Sequence, residues 1–176
     1  MMKLYLNKTA VLIALCLSSL SAVAQDRKLS NDYFVKGMQK FNSARYMEAI
    51  EYYDKAIEAD SNNFNAWIRR GFSKGVMKDF DGELSDYTTV IAKDPDHIWA
   101  YISRGSAKNR RSEYNSAMDD FNKAIAINPK EQEAYNNRGF AKKGLGDKEG
   151  ACEDWVRSRK LGNEEAKIIL KNNLCK

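Results

Sequence analysis

Apolar residues between residues 30 and 165 recur at helical spacing, and the pattern restarts at a fixed interval. Tyr46, Ile50, Tyr53 and Ile57 lie three or four apart and so share one helix face. Short polar breaks interrupt the pattern at "NSARY" (42–46), "MKDF" (77–80), "RRSEY" (110–114) and "GLGDK" (144–148). Blocks of 34 residues fit without a gap at 30–63, 64–97, 98–131 and 132–165. Each block predicts two amphipathic helices joined by a tight turn.

Aligned on this period, particular residue types fall into columns. Gly37, Gly71, Gly105 and Gly139 share one. Four residues earlier stand Tyr33, Trp67, Tyr101 and Tyr135. On the second helix come Ala49, Glu83, Ala117 and Ala151, then Tyr53, Tyr87, Phe121 and Trp155. Ser61, Pro95, Pro129 and Asn163 close the blocks. A glycine inside a helix costs about 1 kcal/mol against alanine, so a column of them implies close helix approach. The expected arrangement sets the small alanine of the second helix against the glycine, with the aromatics filling the space on either side. One such pair cannot bury its apolar faces alone and must stack on its neighbours.

In period, in the Trp/Tyr–Gly spacing, in the Ala and aromatic columns and in the closing Pro, residues 30–165 resemble four tandem tetratricopeptide repeats. The resemblance implies an all-α, right-handed α-solenoid of helix-turn-helix units. Three departures stand out. Glu83 occupies a small-residue position, which implies a looser second repeat. Lys148 replaces the aromatic seen as Tyr46, Phe80 and Tyr114, and the last block lacks its proline. After the repeats, residues 166–176 resemble the solvating helix that closes such arrays, with Ile168, Ile169 and Leu174 on its apolar side.

A basic motif rides on the same period. Arg-Gly-x-x-Lys occurs at Arg70, Arg104 and Arg138, where the family usually has bulky apolar residues. Sixteen residues after each arginine stands an aspartate: Asp86, Asp120 and Asp154. The first block has neither member, carrying Lys36 and Tyr52 instead. The arginine and the aspartate therefore come and go together, which predicts Arg–Asp bridges between paired helices. The competing reading is a ladder of cations for an anionic ligand. A phosphate site prefers backbone N–H groups at a helix start, and this glycine is mid-helix.

The first 24 residues differ in kind. Lys3 and Lys8 precede the uncharged run "TAVLIALCLSSLSAVA", which ends in Ala22-Val23-Ala24. A basic start, a short apolar stretch and a small-x-small site read as a secretory signal peptide over 1–24, cut after Ala24. An uncleaved anchor, or a lipoprotein acylated at Cys16, fits the polar serines and the bulky Leu15 less well. Residues 25–29 read as a short linker. Export to a periplasm, or secretion, is the expected location. Losing Lys3 and Lys8 lowers the net charge from +5 to +3, with charges interleaved rather than clustered, which argues against nucleic acid as the partner.

Two cysteines then remain in an exported chain, which suggests a disulfide. In the fold that the resemblance implies, the column of Cys152 faces that of Cys175 on the next first helix. A Cys152–Cys175 bond would staple the closing helix down, worth about 3 kcal/mol by chain entropy. The alternative is two free buried thiols. No cofactor, metal or catalytic constellation is predicted. His97 is the only histidine and sits at a turn, so the chain reads as a non-enzyme.

Proteins similar to this one bind peptides or partner helices in the groove lined by their first helices. The corresponding positions are Phe34, Met38, Ile68, Phe72, Trp99, Ile102, Asn136 and Phe140. The expected function is therefore an envelope scaffold or adaptor that takes a protein segment in this groove. The alternative is binding of an anionic envelope polymer or nucleic acid through Arg70, Lys74, Arg104, Lys108, Arg110, Arg111, Arg138, Lys142 and Lys143.

Overall fold

The computed structural model describes residues 23–172 and residue 175. The proposed signal peptide, residues 1–24, lies almost wholly outside them. Helices and turns make up the described residues: α1 (23–42), α2 (Tyr46–Ala59), α3 (Phe64–Val76), α4 (Phe80–Lys93), α5 (Ile98–Arg110), α6 (Tyr114–Ile127), α7 (Gln132–Gly144), α8 (Lys148–Lys160) and α9 (Glu164–Lys171). The fold is an all-α solenoid of paired helices. Helix α1 runs through residues 25–29, so the expected linker is helical. The chain divides into two compact units, Met1–Arg69 and Arg70–Lys176.

In the first unit, Gly37 sits under the ring of Tyr53. A Cβ on Gly37 would lie 2.5 Å from that ring. Tyr53 is fully buried, and Ala56, Ile57 and Ala66 form a core with Tyr33, Phe34 and Trp67 against it. Trp67 Nε1 donates to the Ser61 carbonyl at 3.1 Å, so this aromatic fastens the inter-repeat turn.

The second unit repeats the same contacts. Cβ atoms on Gly71, Gly105 and Gly139 would lie 2.9, 2.7 and 2.6 Å from Tyr87, Phe121 and Trp155 respectively. The residue that needs the glycine is thus the second-helix aromatic, not the alanine. A flat ring can lie along a bare backbone and bury a large area there. The alanines serve the next contact outward. Ala117 clusters with Ala141, and Ala151 with Ala166, where one repeat meets the following first helix. Tyr101 and Tyr135 donate to the Pro95 and Pro129 carbonyls at 3.2 and 3.4 Å, as Trp67 does to Ser61.

The turn inside each pair needs a left-handed residue at one column. Ala44, Lys78, Ser112 and Gly146 all have positive φ, at 57°, 66°, 61° and 85°. Only the last repeat uses glycine there.

Glu83 does not loosen its repeat. It is 1% exposed, and its carboxylate fills the space above Gly75, where a Cβ would collide with it. Arg110 Nη2 and Tyr87 Oη both donate to Glu83 Oε1. Gly75 and Glu83 are therefore matched in volume. Burial and the Glu83 charge push the Tyr87 phenol far above its usual range.

The end of the array also departs from expectation. The turn after α8 uses Gly162 at φ 106° in place of proline. Asn163 then caps the next helix by accepting from Ala166 N at 2.8 Å. Helix α9 consequently starts at Glu164, two residues before the 34-residue frame, and not at 166. The shift turns Ile168 outward (58% exposed), while Ala166 and Ile169 are buried. Leu174 lies outside the described residues. Lys148 also finds its reason. The preceding aromatic in its column, Tyr114, covers Gly144 at the end of the following first helix. After α8 the next helix ends at Lys171, so the aromatic has nothing equivalent to cover.

Two substitutions test this reading by urea or thermal denaturation. Gly105→Ala forces its methyl into Phe121 and should cost about 1–3 kcal/mol, as overpacking does. Ser112→Gly relieves a left-handed residue and should stabilise by roughly 0.5–1 kcal/mol after the unfolded-state entropy is subtracted. Loss of stability in Ser112→Gly would contradict the turn assignment.

Candidate partner-binding face

Within the second unit, the first helices lie on the inside of the bend. Helix α5 packs directly on α7, whereas no comparable contact joins α4 to α6 or α6 to α8 among the described residues. The inner face is therefore built from one side of α5 and α7, together with the part of α3 after Arg69.

The predicted groove residues separate on this geometry. Phe72 and Trp99 stand 40% and 52% exposed. Ile102 is 4% exposed and belongs to the core with Tyr101, Ala124 and Ala134, so it is a packing residue. Asn136 is fully buried: its Nδ2 donates to Glu165 Oε2 at 2.7 Å, and its backbone carbonyl accepts from Trp155 Nε1 at 3.2 Å. It orders the join between α7 and α9 rather than a groove surface. Phe140 is half-buried and meets Trp155 edge-on at 5.4 Å. In the first unit Phe34, Met38 and Ile68 are half-buried, and Phe34 packs 5.9 Å from the Tyr53 ring. Assigning helix columns by periodicity cannot tell the side facing a neighbour from the side facing solvent, because both lie on the first helix. Periodicity also gives no sign of Val76, Met77 and Phe80, exposed at 41%, 45% and 40% near the turn between α3 and α4.

The basic triplets face inward. Asp86, with its side chain 3% exposed, accepts a two-pronged bond from Arg70, Nη2 to Oδ1 at 2.7 Å and Nε to Oδ2 at 2.8 Å. Lys74 Nζ reaches the same carboxylate at 3.0 Å. Asp120 takes Arg104 at 2.6 Å and Lys108 at 2.8 Å. Asp154 takes Arg138 at 2.7 Å and Lys142 at 3.0 Å. The motif Arg-x3-Lys places both cations one turn apart on one face, and the aspartate of the second helix sits between them. Two arginines reach further: Arg104 Nη1 donates to Thr88 Oγ1 at 3.2 Å and Arg138 Nη1 to Asn122 Oδ1 at 2.7 Å, on the outer helix of the preceding repeat. Its bond to Asp154 and that carboxylate's charge raise Arg138 above its ordinary value against the opposing effect of burial. The spacing foretells the arginine but not the lysine as a partner.

Arg110 is engaged with Glu83, and Arg111 with Asp81 and Glu113. Of the cations in the proposed ladder, Lys143 alone forms no ion pair among the described residues. His97 serves as the N-cap of α5, its Nδ1 accepting from Ala100 N at 3.2 Å. No group of three or more His, Cys, Asp or Glu that could hold a metal ion occurs among the described residues. None of the described helices is long and apolar enough to cross a membrane. Cys152 and Cys175 are disulfide-bonded, with Cα atoms 5.6 Å apart. Cys175 follows the end of α9, so the bond ties down the chain beyond the helix and not a helical column.

Asp120→Leu should cost about 3–5 kcal/mol, because it strands two partly buried cations without their anion. The triple variant Arg104→Met, Lys108→Met, Asp120→Leu should recover most of that loss. Equal destabilisation of the single and triple variants in urea melts would show that the triad is not the coupled unit.

Family models support the same repeat. A tetratricopeptide repeat matches residues 33–63 and a TPR repeat matches residues 105–146. None of the curated proteins matches significantly. Solved structures share the fold. A thermophilic TPR protein of Thermus thermophilus is 17% identical with a TM-score of 0.67, covering 76% of this chain and 74% of its own. MamA of Desulfovibrio magneticus RS-1, from residue 41 to its end, is 16% identical with a TM-score of 0.67, over 84% of this chain and 87% of its own. The first TPR of Spaghetti (RPAP3), bound to the HSP90 peptide SRMEEVD, is 25% identical with a TM-score of 0.63, over 68% and 95%. With its 34-residue period, its glycine–aromatic contacts and both matched segments, the chain belongs to the tetratricopeptide repeat proteins.

Proposed function

We propose that this protein is an exported, non-enzymatic adaptor that holds a segment of a partner protein against the inner face of its first helices. That tetratricopeptide repeats make protein–protein interaction scaffolds is the coarse statement, and it stands on the family. The finer reading is carried by one observation: Phe72 and Trp99 stand exposed on inner helices, while Ile102, Asn136 and Phe140 on the same face are wholly or partly packed away. Large aromatics left in solvent on a concave face are typical of binding surfaces, where Trp and Phe supply anchoring area.

Export is supported by the N-terminal sequence and by the Cys152–Cys175 pairing. Disulfides persist in oxidising compartments such as a periplasm or the extracellular space. The competing anionic-polymer reading is weakened by the ion triads, which engage Arg70, Lys74, Arg104, Lys108, Arg138 and Lys142 internally. The RPAP3 repeat is bound to a peptide ending in acidic residues. In this chain the corresponding kind of cation is neutralised by Asp86, Asp120 and Asp154, so the partner segment is apolar rather than a free carboxyl terminus.

A photo-crosslinking residue placed at Phe72 in the producing cell should capture a discrete protein, and the capture should survive moderate salt. Phe72→Ala should weaken the association by roughly tenfold or more, as expected for a hot-spot aromatic. Diffuse capture that disappears steeply with salt would instead support the polymer reading.

A further inference from the structure

The inner face changes character toward its C-terminal end, and the change follows one column. Trp99 is two residues after the N-cap of α5, Glu133 two after the N-cap of α7, and Glu165 two after the N-cap of α9. The shortened turn at Gly162 brings Glu165 into this column, although it stands 32 rather than 34 residues beyond Glu133. We propose that Glu133 and Glu165, next in line after the exposed Trp99, form a docking subsite for cationic side chains, so that the partner segment carries Lys or Arg at the end that meets α7 and α9. This deepens the adaptor reading above and rests on it.

Three observations bear on the choice of occupant. First, neither Glu133 nor Glu165 forms an ion pair among the described residues, in a chain where the carboxylates of Glu83, Asp86, Asp120 and Asp154 are all matched to cations. Burial, followed by the Glu165 and Glu131 charges, holds the Glu133 carboxyl above its ordinary range. The negative charge here is uncompensated, where elsewhere in the unit it is neutralised.

Second, the fully buried Asn136 carboxamide holds Glu165 by its Nδ2 and has no hydrogen-bond partner at Oδ1. Buried polar atoms are nearly always paired. A carbonyl left over beside two carboxylates adds to the same negative edge. Third, Trp99 presents an exposed indole that makes no hydrogen bond or ring contact among the described residues, and indole is the best aromatic face for a Lys or Arg cation. Acidic residues in a first helical turn also suit the helix dipole. The dipole accounts for each glutamate singly. It gives no reason for the orphaned Asn136 oxygen between them, or for the absence of a cation in so basic a chain.

The test is calorimetric titration of the full chain with two short synthetic peptides sharing one apolar core, one flanked by Lys and Arg, the other by Glu. The basic peptide should bind and the acidic one should not. Glu133→Gln should weaken the basic peptide by roughly tenfold while leaving the unfolding midpoint of the free protein equal or higher, since it removes an uncompensated charge. A structural role for Glu133 would lower that midpoint. Glu165→Gln alone should weaken binding as well, and because it also loses the Asn136 bond, Glu133→Gln is the deciding variant. Failure of the basic peptide to bind, equal binding of the acidic one, or affinity unchanged in Glu133→Gln overturns the subsite. A discrete partner captured at Phe72 whose contact segment lacks Lys and Arg also overturns it and leaves the adaptor standing. Absence of any discrete partner at Phe72 overturns the adaptor itself.

Discussion

Contact between a first-helix glycine and a second-helix aromatic ring sets the geometry on which everything else here depends. With Cβ positions 2.5–2.9 Å from the ring at Gly37, Gly71, Gly105 and Gly139, no side chain can be added without parting the helices. The helices must therefore run close, and this proximity lets a two-helix unit of modest size bury Tyr53, Tyr87, Phe121 or Trp155 almost completely. It also fixes the rotation of each helix about its axis. The residue before each glycine in the second unit then points at the second helix, into a position too confined for an unpaired charge.

Arg70, Arg104 and Arg138 occupy that position, one residue before the glycine. They are tolerated because Asp86, Asp120 and Asp154 stand opposite, one residue before the aromatic that covers the glycine. Glycine, arginine, aspartate and aromatic thus form one unit of four residues, to which the lysine one turn on adds a second cation. Replacing such a cluster by apolar groups of similar volume can leave stability unchanged or improve it. What the cluster secures is the pairing of each first helix with its own second helix. In a chain of near-identical repeats that distinction matters, since an apolar seam would accept any neighbour.

Much of this is legible in the sequence, because a 34-residue period turns local chemistry into columns. The helix pairs, their turns and the Arg–Asp partnership can all be read from residues recurring together. What fails is whatever the period does not encode. The glycine column announces close approach without saying to what, and the aromatic rather than the alanine is the partner. Glu83 looks like a misfit because its compensation lies eight residues back at Gly75 and one repeat on at Arg110, outside its own column. The boundary of α9 falls out of frame because a glycine turn shortens the last block and ends the period. Among the candidate site residues, Phe72 and Trp99 emerge on the surface while Ile102 and Asn136 do not, a difference set by the neighbouring helix and invisible in one helix's own periodicity.

The break in period at Gly162 links the end of the fold to its surface. Had α9 begun in frame, Ile168 rather than Ile169 would have been available to the core, and Glu165 would have fallen in the turn. Starting at Glu164 instead, α9 buries Ala166 and Ile169 against Ala151 and Trp155, and sets Glu165 on Asn136. The disulfide then holds the chain beyond α9 to α8, so this register is fastened at both ends, by the Asn163 cap and by Cys175. Closing the array and making its last inner surface acidic are consequences of the same two-residue shortening. The apolar Phe72 and Trp99 precede that surface along the inner helices, so a bound segment would meet aromatic side chains first and carboxylates last. A face with different chemistry at its two ends imposes a direction on whatever lies along it.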